Sequence, residues 1–224
     1  MKNLAIVPGA LRPEKPEPAQ SLAEEVANAL SHGIGLVAIL GATPFLIAAA
    51  WRHGAVGSVL GAALFAGSAA LLYLASMLYH TAPDRRKGFF RMLDHLAIFF
   101  LIAGTYTPFA LGPLRGTFGW TIFAVAWLLA FLGVLFKVFA RFRFPYLSTA
   151  MYIGMGWLAV FIIRPLAAHL PVAGLLWIVA GGVAYTSGVL FYHWERMRFS
   201  HLVWHLFVLA GTGFHFVAVL RYAI

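Results

Sequence analysis

Seven apolar runs dictate what this chain can fold into: about Leu30 to Trp51, Val56 to Tyr79, Met92 to Leu111, Phe118 to Phe136, Tyr146 to Ile163, Val172 to Tyr192 and Leu202 to Ala223. At a helical rise of about 1.5 Å per residue, each is long enough for a hydrocarbon layer of roughly 30 Å. With 62% apolar and 10% charged residues in a chain of 224, no soluble domain with one packed core fits. The expected fold is an all-α integral membrane protein, a seven-transmembrane helical bundle. The net charge of +9 would suggest nucleic acid in a soluble protein. Here the basic residues sit in short gaps between apolar runs, where they orient the chain in a bilayer, so nucleic-acid binding is discounted. The absence of cysteine excludes disulfides, iron–sulfur clusters and thiolate metal sites, leaving nitrogen and oxygen as the ligands for any metal.

Residues 1–20, with Pro8, Pro13, Pro16 and Pro18 and no long apolar core, are expected to form a flexible cytoplasmic tail rather than a secretory signal. Residues 21–224 then form one bundle. Ser21-Leu-Ala-Glu24 matches a capping box and predicts a helix start. Arg52-His53-Gly54 ends the first span, and the basic segment Thr81 to Arg91 is expected to be a loop. Pro108 is expected to kink the third span, and Arg164 to His169 to form the turn after the fifth. The tail and the second, fourth and sixth connections hold three, four, three and two Lys or Arg residues, whereas the other connections and the C-terminus hold one each. This bias places the N-terminus in the cytoplasm and the C-terminus outside. All seven acidic residues, Glu14, Glu17, Glu24, Glu25, Asp84, Asp94 and Glu195, fall on the same side as the tail.

His201-Leu-Val-Trp-His205 opens the last apolar run. Residues four apart share one helix face, roughly 6 Å apart along the axis, so two such imidazoles can serve one ion. An ionisable group in lipid costs on the order of 2 to 4 kcal/mol, which demands compensation. His80 at the end of the second span and Asp94 at the start of the third lie at the same depth, unlike His53 and His169. Three neutral imidazoles, His80, His201 and His205, with a fourth position open to water describe a catalytic zinc centre, in which the water is acidified toward a pKa of about 7. Asp94 is the candidate to hold or deprotonate that water, and Ser76, one turn before His80, to polarise a substrate oxygen. Plainer readings stand beside these. The histidines can serve a helix start at the interface, Asp94 can pair with Arg91 or Arg198, and Ser76 can bond back to the carbonyl of residue 72. Glu25, Asn28 and His32 share one face and either shape the site entrance or tie the first helix to a neighbour, the second being preferred. His95, His193 and His215 read as packed, hydrogen-bonded histidines, and Gly57-x-x-x-Gly61 as a helix-contact motif.

Glu25-x-x-Asn28-x-x-x-His32, Ser76-x-x-x-His80 and His201-x-x-x-His205 resemble the three signature motifs of the haemolysin III family and its eukaryotic relatives, the progestin and adipoQ receptors, which include the adiponectin receptors. Leu93-Asp-His95 and Ala103-Gly-Thr-Tyr-Thr-Pro-Phe109 are also similar to bacterial haemolysin III stretches. The resemblance implies zinc on His80, His201 and His205, an aspartate at position 94 near the metal water, and a cytoplasmic N-terminus in a bacterial-type plasma (inner) membrane. The wider superfamily includes alkaline ceramidases. That implies a zinc-dependent hydrolase of lipid amide or ester bonds at the cytoplasmic leaflet, with membrane lipids as partners. Two alternatives come with the family: a membrane-homeostasis regulator or receptor-like protein with structural zinc, and a pore-forming haemolysin.

Overall fold

A computed structural model describes residues 20–52, 55–194 and 196–224. The expected tail, apart from Gln20, lies outside them, as do His53 and Glu195. The chain forms α1 (Leu22–Arg52), α2 (Val56–Thr81), α3 (Asp84–Leu111), α4 (Thr117–Ala140), α5 (Pro145–Gly156), α6 (Ala159–Ala167), α7 (Val172–Tyr192) and α8 (Ser200–Ala218), which runs into a π-helical turn, Val219–Ala223. Taking α5 with α6 and α8 with its π turn, seven helical segments among the described residues are long and apolar enough to cross a membrane. The seven-span expectation holds.

The start of α1 is built as its sequence implies. The Ser21 hydroxyl accepts the Glu24 N–H at 3.4 Å, and the Ser21 N–H donates to Glu24 Oε2 at 2.9 Å. The second Glu24 oxygen accepts the N–H of Phe199 at 3.0 Å. Phe199 holds a left-handed backbone, φ 58°, immediately before α8, a conformation that costs a non-glycine residue energy and needs an external anchor. One carboxylate therefore caps α1 and fixes where α8 begins, one residue before His201.

Two boundaries differ from expectation. The basic segment Thr81 to Arg91 is helical from Asp84, so the connection between α2 and α3 shrinks to Ala82 and Pro83. Pro83 has φ −65° and sits at the N-cap, and Asp84 places a negative charge in the first turn; both favour helix initiation over a loop. The fifth span is also split. Trp157 and Leu158 form a turn between α5 and α6, and the expected turn from Arg164 is the end of α6, through Ala167. An open turn within lipid leaves backbone groups without water. Tyr106 on α3 supplies the partners: its hydroxyl donates to Gly156 O at 2.5 Å, lies 3.0 Å from Met155 O, and accepts the Ala159 N–H at 2.9 Å.

α2 packs between α1 and α3, and α8 packs against α7 and α1. The α2–α3 contact is close because Gly57 and Gly61 lack side chains. A Cβ at Gly57 would lie 2.6 Å from Leu111 O, and one at Gly61 2.7 Å from the Cα of Pro108. Pro108 lies inside α3. The alternation of the spans gathers the start of α1, the end of α2, the start of α3 and the start of α8 at one end of the bundle.

Candidate metal centre

That shared end brings His80 of α2 together with His201 and His205 of α8, and one ligand atom from each lies within 4.8 Å of the others. Ring centroids are 5.0 Å apart for His80 and His201, 5.1 Å for His80 and His205, and 4.7 Å for the α8 pair. Zn–N bonds of about 2.0–2.1 Å require donors within roughly 4 Å of each other, so small ring movements close the set on one ion. His80 and His205 are buried, and His201 is half-buried.

Hydrogen bonds fix which nitrogen of His80 and of His205 keeps its lone pair. His80 Nδ1 lies 2.8 Å from Glu25 Oε2. A carboxylate only accepts, so Nδ1 carries the proton and Nε2 keeps its lone pair. That Nε2 is buried and has no protein partner. The other Glu25 oxygen is held by the Lys87 ammonium, which the helical start of α3 brings into reach. For His205, Nδ1 lies 3.0 Å from Ser31 Oγ and 3.3 Å from Asn28 O. The Ser31 proton already goes to Asn28 O at 2.7 Å, so His205 Nδ1 is the donor and its Nε2 is again the free lone pair. Two imidazoles are thus set in the tautomer that a metal requires. This donor set, nitrogen only and backed by a carboxylate and a hydroxyl, suits zinc better than magnesium or calcium.

Further buried polar atoms without protein partners gather on the same helices: Asn28 Oδ1, both ring nitrogens of His32, and Ser76 Oγ. His32 stacks on His205 at 3.7 Å with rings 6° from parallel. Such orphaned groups are costly unless a water, an ion or a ligand meets them. Ser76 makes no bond back to residue 72. Asp94 is buried at this end, within electrostatic reach of His32 and His80, and its Oδ2 lies 3.4 Å from His95 Nδ1. It stands outside the three-imidazole cluster.

The packed histidines are as expected. His95 donates through Nδ1 to Arg91 O at 2.9 Å, His193 Nε2 bonds Thr149 Oγ1 at 3.1 Å, and His215 bonds Gly211 O at 2.8 Å. Glu25 and Asn28 do tie α1 to its neighbours, but they do so through the candidate ligands. Ser31 had no signal of its own; its spacing of three from Asn28 was the available clue.

A cavity of about 240 Å³ extends among α2, α3, α5, α6, α7 and α8, and none of the three imidazoles lines it. Its wall is almost wholly apolar and includes Trp204 and Val208, the residue before His205 and one a turn beyond it.

Comparison with known proteins agrees with this architecture. The family model described as "Haemolysin-III related" matches residues 20–216. The chain is 43% identical over 205 residues to Hemolysin-3 homolog of Bacillus subtilis, covering 91% of this chain and 96% of that one. It is 44% identical over 206 residues to Hemolysin-3 of Bacillus cereus, covering 92% and 94%. It is 26% identical over 162 residues to the human Monocyte to macrophage differentiation factor, covering 67% and 65%. A seven-span bundle with this match along nearly its whole length belongs to the haemolysin-III related family.

Proposed function

We propose that the protein is a zinc-dependent hydrolase of lipid amide or ester bonds, working at the cytoplasmic leaflet. The observation that carries this reading is the meeting of three imidazoles, two buried and with their Nε2 lone pairs freed by Glu25 and Ser31, where α8 also presents Trp204 and Val208 to an apolar cavity. His80, His201 and His205 would hold the zinc, which when bound supplies Lewis acidity toward a carbonyl oxygen and a water acidified toward neutrality. The chain's own residues do the rest. Glu25, clamped by Lys87, orients His80. The unpartnered Ser76 hydroxyl is available to donate to the substrate carbonyl, and Asp94 to accept a proton from the attacking water. The cavity receives the aliphatic chain and keeps it out of water.

A second reading is favoured by a specific feature: the three imidazoles and their partners link α1, α2 and α8, so a metal there would tighten the bundle. One experiment separates the two. Metal content is measured on the purified protein, wild type and His205→Ala, with a mass-spectrometric screen of lipids for cleavage products. A hydrolase gives near-stoichiometric zinc and wild-type product that both disappear in the variant. A structural metal gives zinc, no product, and a large fall in melting temperature on chelation. A protein without bound zinc sinks both.

A further inference from the structure

The cavity holds a chemical asymmetry that its apolar lining conceals. Every hydroxyl in its wall among the described residues has already given its proton away. Thr105 donates to Leu101 O, Tyr106 to Gly156 O, Tyr152 to His95 O and Thr186 to Gly182 O. Tyr185 bonds Thr212 Oγ1, whose own proton goes to Val208 O, so Tyr185 is the donor. The indole N–H of Trp157 is spent on Thr186 Oγ1. The wall's hydroxyls and the Trp157 indole therefore offer a ligand acceptors and no donor, and the one wall donor left over among the described residues is the indole N–H of Trp204, next to His205 in α8 and remote from His215.

One acceptor is uncommitted. His215 lines the cavity and is only 6% exposed. Its Nδ1 lies 2.8 Å from Gly211 O, a carbonyl that only accepts, so Nδ1 is the protonated nitrogen and Nε2 carries the lone pair. The ring is held where it is: it stacks on Tyr185 with planes 15° apart. It also packs against α7 at Gly181, where a Cβ would come within 2.2 Å of it. Placing a rigid acceptor deep among apolar side chains costs free energy unless a donor meets it.

We propose that this end of the cavity recognises a hydroxyl on the distal part of an aliphatic chain, so that the preferred ligand is a hydroxylated acyl chain. His215 Nε2 accepts that hydroxyl's proton. Ten residues of α8 separate His205 from His215, about 15 Å along the axis, so the recognised hydroxyl is remote from the group at the metal centre. The inference rests on the cavity's taking a lipid chain, as in the reading above. It adds which chain.

The test is binding to the purified full-length protein in detergent, by displacement of a fluorescent fatty acid. The probes are octadecanoate, the same acid with a hydroxyl in its distal half, and the isomer with the hydroxyl beside the carboxylate. Wild type should bind the distal isomer at least about fivefold more tightly than either other acid, the scale of one hydrogen bond made rather than lost. His215→Leu should bind the unsubstituted acid at least as well as wild type and lose the preference. Equal affinities in wild type overturn the proposal without any variant, as does a preference that survives His215→Leu. Metal content and melting temperature of the variant, measured in parallel, show that its centre and fold are intact. Neither metal nor turnover enters the assay. A protein that cleaves no lipid yet prefers the distal hydroxyl would remove the hydrolase reading and keep this one; cleavage without preference would do the reverse.

Discussion

Glu25 shows what a single carboxylate does in a membrane-embedded centre. It accepts from His80 Nδ1 at 2.8 Å and is itself clamped by Lys87, so the imidazole is held in orientation. Glu25→Gln keeps the size of the side chain but removes its charge. We expect a loss of about 10- to 100-fold in zinc affinity, read by competition with a chromogenic chelator, in a protein that still folds. Unchanged affinity would show that His80 needs no carboxylate behind it. The three imidazoles themselves were legible in the sequence, because a spacing of four and a common depth are properties of single helices placed in a bilayer. The bond from Glu25 to His80 was not. It depends on the axial register of α1 against α2, and neither helix encodes that in its own spacing. Ser31 was hidden for the same reason.

Between elements, the sequence revealed boundaries where they coincide with hydropathy and missed them where local chemistry overrides it. The segment from Thr81 to Arg91 is polar enough to look like a loop, yet Pro83 and Asp84 start a helix there and bring Lys87 to Glu25. The break at Trp157 was invisible because the residues around it are as apolar as a continuous span, and the hydroxyl that completes it comes from α3. Tyr106→Phe should leave Gly156 O and the Ala159 N–H without that partner inside lipid. The expected cost is about 1–3 kcal/mol, seen as a lower melting temperature in detergent. A variant as stable as wild type would mean that the turn satisfies itself. The Gly57-x-x-x-Gly61 motif was read from sequence and does lie in a helix contact. Gly61→Leu would drive a side chain into the backbone at Pro108, where a Cβ alone would sit 2.7 Å from Cα, and neither helix can yield there. It should destabilise the bundle more than Tyr106→Phe, by the same measurement.

For the molecule as a whole, the alternation of seven spans puts the histidine end opposite the end that carries Arg115 and Arg221. Which end faces the cytoplasm is set by charge during insertion rather than by packing, and here it rests on the lysine and arginine bias of the connections. The charge at the histidine end includes Arg85, Arg86 and Lys87, on the first turns of α3, close to where a negatively charged inner leaflet would attract them. The chain has no cysteine, so single cysteines can be introduced as the only thiols and labelled in intact bacterial cells. Arg86→Cys, in the first turn of α3, and Arg115→Cys, between α3 and α4, mark the two ends at exposed positions. With the N-terminus inside, a membrane-impermeant maleimide should modify position 115 in whole cells, and position 86 only after the membrane is opened. The opposite pattern would place the metal centre on the outer face. A hydrolase acting on the outer leaflet would then meet different lipids, and the orientation read from the basic residues would be wrong even though the fold and the histidine cluster stood unchanged.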